Sequence, residues 1–470
     1  MIVLPLPWLE AAILLALVGS LAVNRVRNLD RAWRWGVALT GLVFVCASAA
    51  SLGFLLQTPE ATYPEWNLQT ILFGRPYLGL DELNAPLLPA VALLHFLTAL
   101  ATARTRMRSF SLTWSLSAEA FHLAKFACKE PLVLVVLLTL GAVLPLVELI
   151  NRRRPARVYV LHMSLFVALL WLGTLLPSGT PAAIVLLAAV LIRCGVVPFH
   201  CWITDWFEQA SLGIALLYVI PLSGVYAAIR LVLPIAPDWL LSGLGLLSLT
   251  TAFYAASMGL VQRDLRRFFA YFFLSHASLV LVGLQLHTTV SLTGALSLWF
   301  AVLLSLGGFG LVLRAVESRF GWLSPRQHRG LYEHSPMLAV SFLLTGLASI
   351  GFPGTLGFVA ADLLVEGASG VHLFVGLAVI ATATLNGIAI LRVYLLLFTG
   401  ARHTSSVSLN ITPRERLVVL TLSAFILGGG LFPQPGISSR ERAAEAILEV
   451  RKDHLVGERG ASAPRSAGHP

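Results

Sequence analysis

Charge is what this chain has least of. Only 12% of its 470 residues are Asp, Glu, Lys or Arg, against about 25% in soluble domains. That scarcity excludes a sizeable soluble domain. Lysine is nearly absent, with only Lys125, Lys129 and Lys452. The four cysteines, Cys46, Cys128, Cys194 and Cys201, form no CxxC pair, so neither a zinc site nor a disulfide framework is implied. No cofactor motif and no cluster-ligand pattern occurs, so no cofactor and no redox chemistry are expected of the chain itself. No basic stretch precedes the first apolar run and nothing resembles a cleavage site, so that run reads as a retained helix rather than a signal peptide. What fills the chain instead is apolar sequence: 57% hydrophobic residues and a mean hydropathy of +0.82. The expected class is an all-α polytopic membrane protein.

A spanning helix needs about 20 mostly apolar residues. By that measure fourteen spans are expected, near 8–23, 36–57, 84–102, 109–128, 131–150, 159–176, 181–199, 213–235, 238–260, 268–286, 289–313, 337–364, 371–398 and 416–432. The 58–80 loop, with Pro59, Glu60, Pro64 and Glu65, is expected to cap one membrane face. The net charge of +10 does not point to nucleic acid, because the arginines sit in short loops. Those loops carry Arg25, Arg27, Arg31 and Arg34, then Arg104, Arg106 and Arg108, then Arg152, Arg153, Arg154 and Arg157. Arg263, Arg266 and Arg267, then Arg314, Arg319, Arg326 and Arg329, then Arg402, Arg414 and Arg416 complete the series. Each cluster follows an odd-numbered span, and Lys125 and Lys129 are the basic exceptions after an even one. The positive-inside rule then puts both termini outside the cell's inner (plasma) membrane. Residues 1–432 read as one membrane domain. Residues 433–470 read as an amphipathic helix over about 437–455 and a disordered tail.

The stretch LIRCGVVPFHCWITDWFEQ is unusual for a span. Arg193 lies in an apolar run, Pro198 interrupts it, and His200, Asp205 and Glu208 follow. An arginine at bilayer depth costs about 2.5–3.5 kcal/mol on insertion scales, and proline breaks the helical ladder. Irregular backbone at that depth is tolerated only where protein or a watery cavity covers it. A second interrupted stretch, SIGFPGTLGFVAADLLVEGA, carries Gly351, Pro353, Gly354 and Gly357, followed by Asp362 and Glu366. Two broken spans, five helices apart, point to inverted repeats, roughly 109–235 and 238–398, with an ion pathway between them.

These stretches resemble the antiporter-like membrane subunits of respiratory complex I, related to Mrp-type antiporters. VVPFHCWITDWFE, GVYAAIR, VQRDLRRFFAYFFLSH, ASIGFPGTLGFVAADLL and LGLDELNAPLL each resemble a motif of that family, in the right order and spacing. The resemblance covers most of 75–400 and implies fourteen core helices in two inverted five-helix repeats, with spans seven and twelve broken. It also implies a proton path using an acid in span five, lysines in spans seven and eight, histidine and lysine in span eleven and a charged residue in span twelve. By position those roles fall on Leu140, Arg193, Leu222, Ser305 and, one residue displaced, Asp362. Buried lysine can release its proton because desolvation destabilises its charge; arginine effectively cannot. The implied relay is therefore degraded.

Titratable residues left within spans are His95, Glu119, His122, Glu148, His162, His276 and Asp362. Glu119 and His122, three apart, share a helix face. The ion-pathway set is accordingly Arg193, Glu119, His122, His200, Asp205, His276 and Asp362, with helix breaks at Pro198, Gly351, Pro353, Gly354 and Gly357. Arg193 needs a countercharge, and Glu119 is the expected partner, ahead of Asp205 or freed backbone carbonyls. The expected function is that of a membrane subunit of a larger complex taking part in proton or cation movement, at most a non-redox subunit of an NADH:quinone oxidoreductase-like complex. Its partners would be other membrane subunits and the bilayer, with a soluble cytoplasmic coupling protein as a further partner. Three alternatives compete: the membrane subunit of a DAB-type inorganic carbon pump, which resembles the same family, a non-conducting scaffold, and an enzyme holding a metal on His200, Asp205 and Glu208.

Overall fold

The computed structural model describes residues 7–56, 69, 71, 74–102, 110–285, 288–324, 328–400 and 411–462. The tip of the expected capping loop at 57–68, Arg104, Arg106, Arg108, Arg326, Arg402 and the tail at 463–470 lie outside them. Apart from an isolated bridge between Leu78 and Cys128, the described secondary structure is helical. The amino-terminal part contains α1 (Trp8–Arg25), α2 (Leu29–Leu55), α3 (Leu87–Leu100), α4 (Leu112–Ala127), α5 (Pro131–Asn151) and α6 (Arg157–Leu175). Then come α7 (Thr180–Cys194), α8 (Cys201–Gln209), α9 (Leu212–Val219) and α10 (Ser223–Ala227), which runs on into a π-turn at Ala228–Val232. The carboxy-terminal part contains α11 (Asp238–Val261), α12 (Leu265–Leu284), α13 (Thr289–Ala301), a π-turn at Val302–Leu306 and α14 (Gly307–Phe320). It closes with α15 (Pro336–Ser349), α16 (Leu356–Val371), α17 (Leu373–Phe398), α18 (Pro413–Leu431) and α19 (Gln434–Ser462).

Among the described residues nine helices are long and apolar enough to cross a membrane, or ten if the bent pair α18–α19 counts as one. Three shorter apolar helices, α3, α7 and α15, accompany them. Their outward faces are apolar, as a lipid-facing surface must be: Leu161, Leu175, Leu246 and Phe374 are all exposed. Local caps explain where helix limits differ from those expected. The Asn28 side chain accepts from the Asp30 and Arg31 amides, at 2.9 and 3.2 Å, so α2 begins at Leu29 rather than near 36. Arg31 and Arg34 therefore sit in its first turns, not in a loop. Asp264 caps α12 in the same way.

Two interruptions lie within apolar sequence. Helix α7 stops at Gly195, whose φ of +69° an L side chain would resist. The Gly195 amide donates to Ile192 O and the Val196 amide to Leu191 O, the paired bonds of a Schellman stop. Pro198 follows before α8 begins. Between α15 and α16 the chain passes Gly351 and Gly354 at φ of +91° and +83°, with Pro353 between them. Gly357 already lies inside α16; a Cβ there would stand 1.8 Å from Ala348 O.

The carboxy-terminal helix is longer than expected, running to Ser462 rather than ending near 455. It bends by 78° from α18 and straps one end of the bundle. Arg442 reaches Glu82 at 3.4 Å. Arg451 donates at 2.6 Å both to Leu233 O and to Asp238. The guanidinium of Arg440 stacks 4.0 Å from the Phe300 ring.

At helix ends, two carboxylates are gripped by arginine forks. Arg266 donates to Glu317 at 2.9 and 2.5 Å. Arg319 donates to Glu415 at 2.9 and 2.5 Å, and Glu415 also closes a capping box with Thr412. Burial pushes the Glu415 carboxyl up, but the Arg319 and Thr412 hydrogen bonds outweigh it and hold the group below the usual 4.5. A depressed folded-state pKa stabilises the fold above the unfolded value and loses that contribution as pH falls through the folded one. Glu415→Gln is expected to destabilise the protein by about 1.5–3 kcal/mol at pH 7, with the difference shrinking below about pH 4.5. Thermal unfolding in detergent at pH 7 and pH 4 measures this; an equal difference at both values would rule it out.

Candidate buried polar site

Helix α4 is the polar anomaly of the interior. Ser111 starts it by accepting from the Trp114 amide. Its sequence LTWSLSAEAFHLAKFA puts Glu119, His122 and Lys125 at i, i+3 and i+6, so all three project from one side. None reaches solvent: they are 0%, 2% and 2% exposed. His95 of α3 is also 0% exposed, and its ring centre lies 5.6 Å from that of His122. With Nδ1 as donor, His122 bonds the Ala118 carbonyl at 2.7 Å. That leaves Nε2 bare. Both oxygens of Glu119, both ring nitrogens of His95 and Nε2 of His122 are buried with no hydrogen-bond partner among the described residues. Buried polar atoms are nearly always bonded, to protein or to water, because leaving one unmet costs about 1–3 kcal/mol. Five such atoms lie together, three on α4 and two on α3.

Room for the third member is made by the neighbouring helix. A Cβ on Gly141 of α5 would stand 3.2 Å from Lys125 Nζ. The expected span 109–128 already contains Lys125, and the structure places it in the helix with its amine in the interior. Its i+6 spacing from Glu119 is the signal that it belongs with the other two.

Arg193 is buried at the end of α7, 6% exposed, but Glu119 is not its partner. Its Nη2 donates to Ser223 Oγ at 2.8 Å. Its guanidinium carbon lies 4.5 Å from the Tyr218 ring centre and 5.4 Å from that of Trp202. No carboxylate pairs with it among the described residues. The cation is held by π faces and a hydroxyl. The Ile192 carbonyl, which already accepts from the Gly195 amide, also accepts from Trp202 Nε1 at 2.8 Å. The expected pairing put Glu119 near Arg193; the faces the two helices present do not. Arg193 is still close enough to His122 and Lys125 for its charge to act on both.

The other expected pathway residues scatter. His200 is half-buried against the Tyr254 and Tyr271 rings, at 5.3 and 6.2 Å. Asp205 lies on α8 and makes no ion pair with Arg193 among the described residues, Glu208 is taken by Arg267 at 2.7 Å, and His200, Asp205 and Glu208 form no metal-holding group among the described residues. His276 is buried on α12, with Nδ1 bonding the Phe272 carbonyl at 2.8 Å, beside Ser349 at the end of α15. Near it, Asn386 Nδ2 donates to Ser275 Oγ at 2.9 Å. Asp362 faces outward from α16 and is exposed. One arrangement was not anticipated: Arg230, in the first π-turn, forms an ion pair with Asp81 and stacks 5.1 Å over Tyr226. The single hydroxyl proton of Tyr226 is in turn shared between Phe126 O and Cys128 O, at 2.8 and 3.0 Å. Two separate sequence motifs thus meet to clamp the end of α4.

This geometry makes a definite energetic prediction. Arg193→Leu and Glu119→Leu should be additive in stability within about 0.5 kcal/mol, as for independent sites. Arg193→Leu and Ser223→Ala should be coupled by more than that. Double-mutant cycles from chemical unfolding in detergent measure both; strong coupling of Arg193 to Glu119 would restore the ion pair.

Comparison with known proteins agrees with the architecture. Residues 162–386 match the model of the family described as NADH:quinone oxidoreductase/Mrp antiporter, TM. The chain is 30% identical over 325 residues to NADH-quinone oxidoreductase subunit 13 of Thermus thermophilus, covering 62% of this chain and 68% of that one. It is 26% identical over 271 residues to F(420)H(2) dehydrogenase subunit M of Methanosarcina mazei, covering 56% and 55%. For most of the curated relatives the match spans about half of their length. The fold superposes on a chain of respiratory complex I from Thermus thermophilus with bound NADH, with a TM-score of 0.81 at 23% identity over 94% of this chain and 99% of that one. The chain belongs to the NADH:quinone oxidoreductase/Mrp antiporter family of membrane subunits.

Proposed function

We propose that this chain is a proton-translocating membrane subunit of a larger complex, and that its proton path in the first half of the molecule runs along α4. The observation that carries this reading is the buried column of Glu119, His122 and Lys125, with His95 beside it and five polar atoms unmet by protein. Carboxylate, imidazole and amine can each take up and release a proton; the guanidinium of Arg193 effectively cannot. Arg193 is then the fixed charge against which the column works. Its field biases His122 and Lys125, and the mutual interaction of those two groups couples them, so a proton at His122 changes the energy of one at Lys125. A column on α4 would replace the relay that Leu140, Leu222 and Arg193 cannot supply.

The finer architecture belongs to the same reading. The chain forms fourteen spans in two inverted repeats, roughly 109–235 and 238–398, with spans seven and twelve broken near Pro198 and Gly351–Gly357. His276, Ser275, Asn386 and Ser305 continue the path in the second half. Support comes from the buried Ser305 hydroxyl, which has no partner in the second π-turn among the described residues. Both termini lie outside the plasma membrane, and the partners are other membrane subunits.

Glu119→Gln should lower proton translocation by the reconstituted complex at least about tenfold, the factor that corresponds to about 1.4 kcal/mol, while leaving assembly intact. Arg193→Lys should keep much of the wild-type rate. Dye-reported acidification of proteoliposomes reads both, and unchanged pumping by Glu119→Gln would refute the α4 path. Reporter fusions after Arg154 and after Arg329 should both read cytoplasmic; opposite readings would break the span count.

A further inference from the structure

Helix α16 has two opposed stripes. Gly357, Ala360, Leu364, Gly367 and Ala368 are buried and press closely on α13, where a Cβ on Gly294 would stand 2.7 Å from Leu364 N. The opposite stripe, Phe358, Asp362, Glu366 and Ser369, is exposed. Neither the Asp362 nor the Glu366 carboxylate has an ion pair or a hydrogen bond among the described residues.

The depth of Asp362 can be read from the neighbouring helix. A Cβ on Gly376 of α17 would stand 3.3 Å from Ser369 Cβ, and one on Gly387 would stand 3.0 Å from Ile350 Cδ1. The two helices therefore run antiparallel, and Asp362, seven residues before Ser369, lies about level with Ala383, between Ile380 and Ile388. Ile380 is 48% exposed and, further along the same helix, Ile388 is 51% exposed. Leu373 and Phe374, at the outer end of α17, are exposed too. The apolar lipid-type surface of α17 thus extends on both sides of the level of Asp362. A carboxylate facing hydrocarbon at that depth is costly, and such groups almost always face protein or a cavity.

We propose that the α16 stripe is the contact face for a transmembrane helix of a partner subunit, one that presents a lysine or arginine to Asp362. This rests on the reading of the chain as a subunit of a larger complex. The occupant follows from charge complementarity: a lipid tail offers no countercharge, whereas a basic side chain on an apolar helix satisfies the carboxylate and lets Phe358 pack. Glu366, one turn further out, lies on the same face and extends the acidic strip toward the interface.

The test is site-specific photo-cross-linking in native membranes. A photoreactive residue replaces Phe358, and a second version replaces Leu165 on the lipid-facing side of α6, which is 41% exposed. The expected result is a protein adduct from position 358 that maps to a transmembrane peptide containing Lys or Arg, and only lipid adducts from 165. Separately, Asp362→Leu should leave the membrane level of the tagged chain unchanged while lowering co-purified partner subunits at least tenfold. Lipid-only adducts at 358, a second copy of this chain there, or wild-type assembly by Asp362→Leu would overturn the contact while leaving the complex itself intact. A tagged wild-type chain that purifies with no other subunit would overturn the complex as well.

Discussion

Inside a bilayer the backbone has only the protein to bond to, and this constraint orders the whole molecule. Helices meet it along their length. The interruption after α7 meets it through specific partners: a Schellman stop at Gly195, Trp202 on the Ile192 carbonyl, and the Val197 amide on Thr251 Oγ1 at 3.1 Å. The end of α4 meets it through Tyr226, whose hydroxyl serves two carbonyls. Irregular backbone here is sealed, not open.

Against that background the polar atoms that are not served stand out. They concentrate where Glu119, His122 and His95 meet. Packed interiors bond or remove such atoms, and on the proposed reading these persist because the groups that carry them titrate. Arg193 shows the other solution. Its charge is permanent, and aromatic faces and a serine hydroxyl hold it in one place. On the proposed reading, the fold separates a fixed charge from a set of groups that exchange protons.

Much of the architecture was legible from residues alone. Apolar runs announced a helical membrane protein, and the motifs around Pro198 and Gly351–Pro353–Gly354 carried the family resemblance. What was not legible was the direction in which side chains point. Arg31 and Arg34 looked like loop residues until the Asn28 cap drew α2 back to Leu29. Lys125 lay within the expected span 109–128 but was left out of the pathway set, because counting charges along the chain ignores helical phase. Glu119 looked like the countercharge of Arg193 because Leu140 stands where the resemblance implies an acid, but that pattern does not fix which sides of α4 and α7 face each other. Asp362 was assigned to the pathway by motif position, yet the small residues at 357, 360, 367 and 368 are what pack inward, and they turn the carboxylate out. The meeting of Asp81 with Arg230 joins residues 149 positions apart, a distance over which pattern alone carries no contact information.

The central claim is that α4 carries the titrating groups. Infrared difference spectroscopy of the assembled complex, comparing resting and turning-over states, tests it most directly. The account predicts a carboxyl band that changes during turnover and disappears in Glu119→Gln. A turnover-dependent carboxyl signal untouched by that substitution, or none at all, would contradict it.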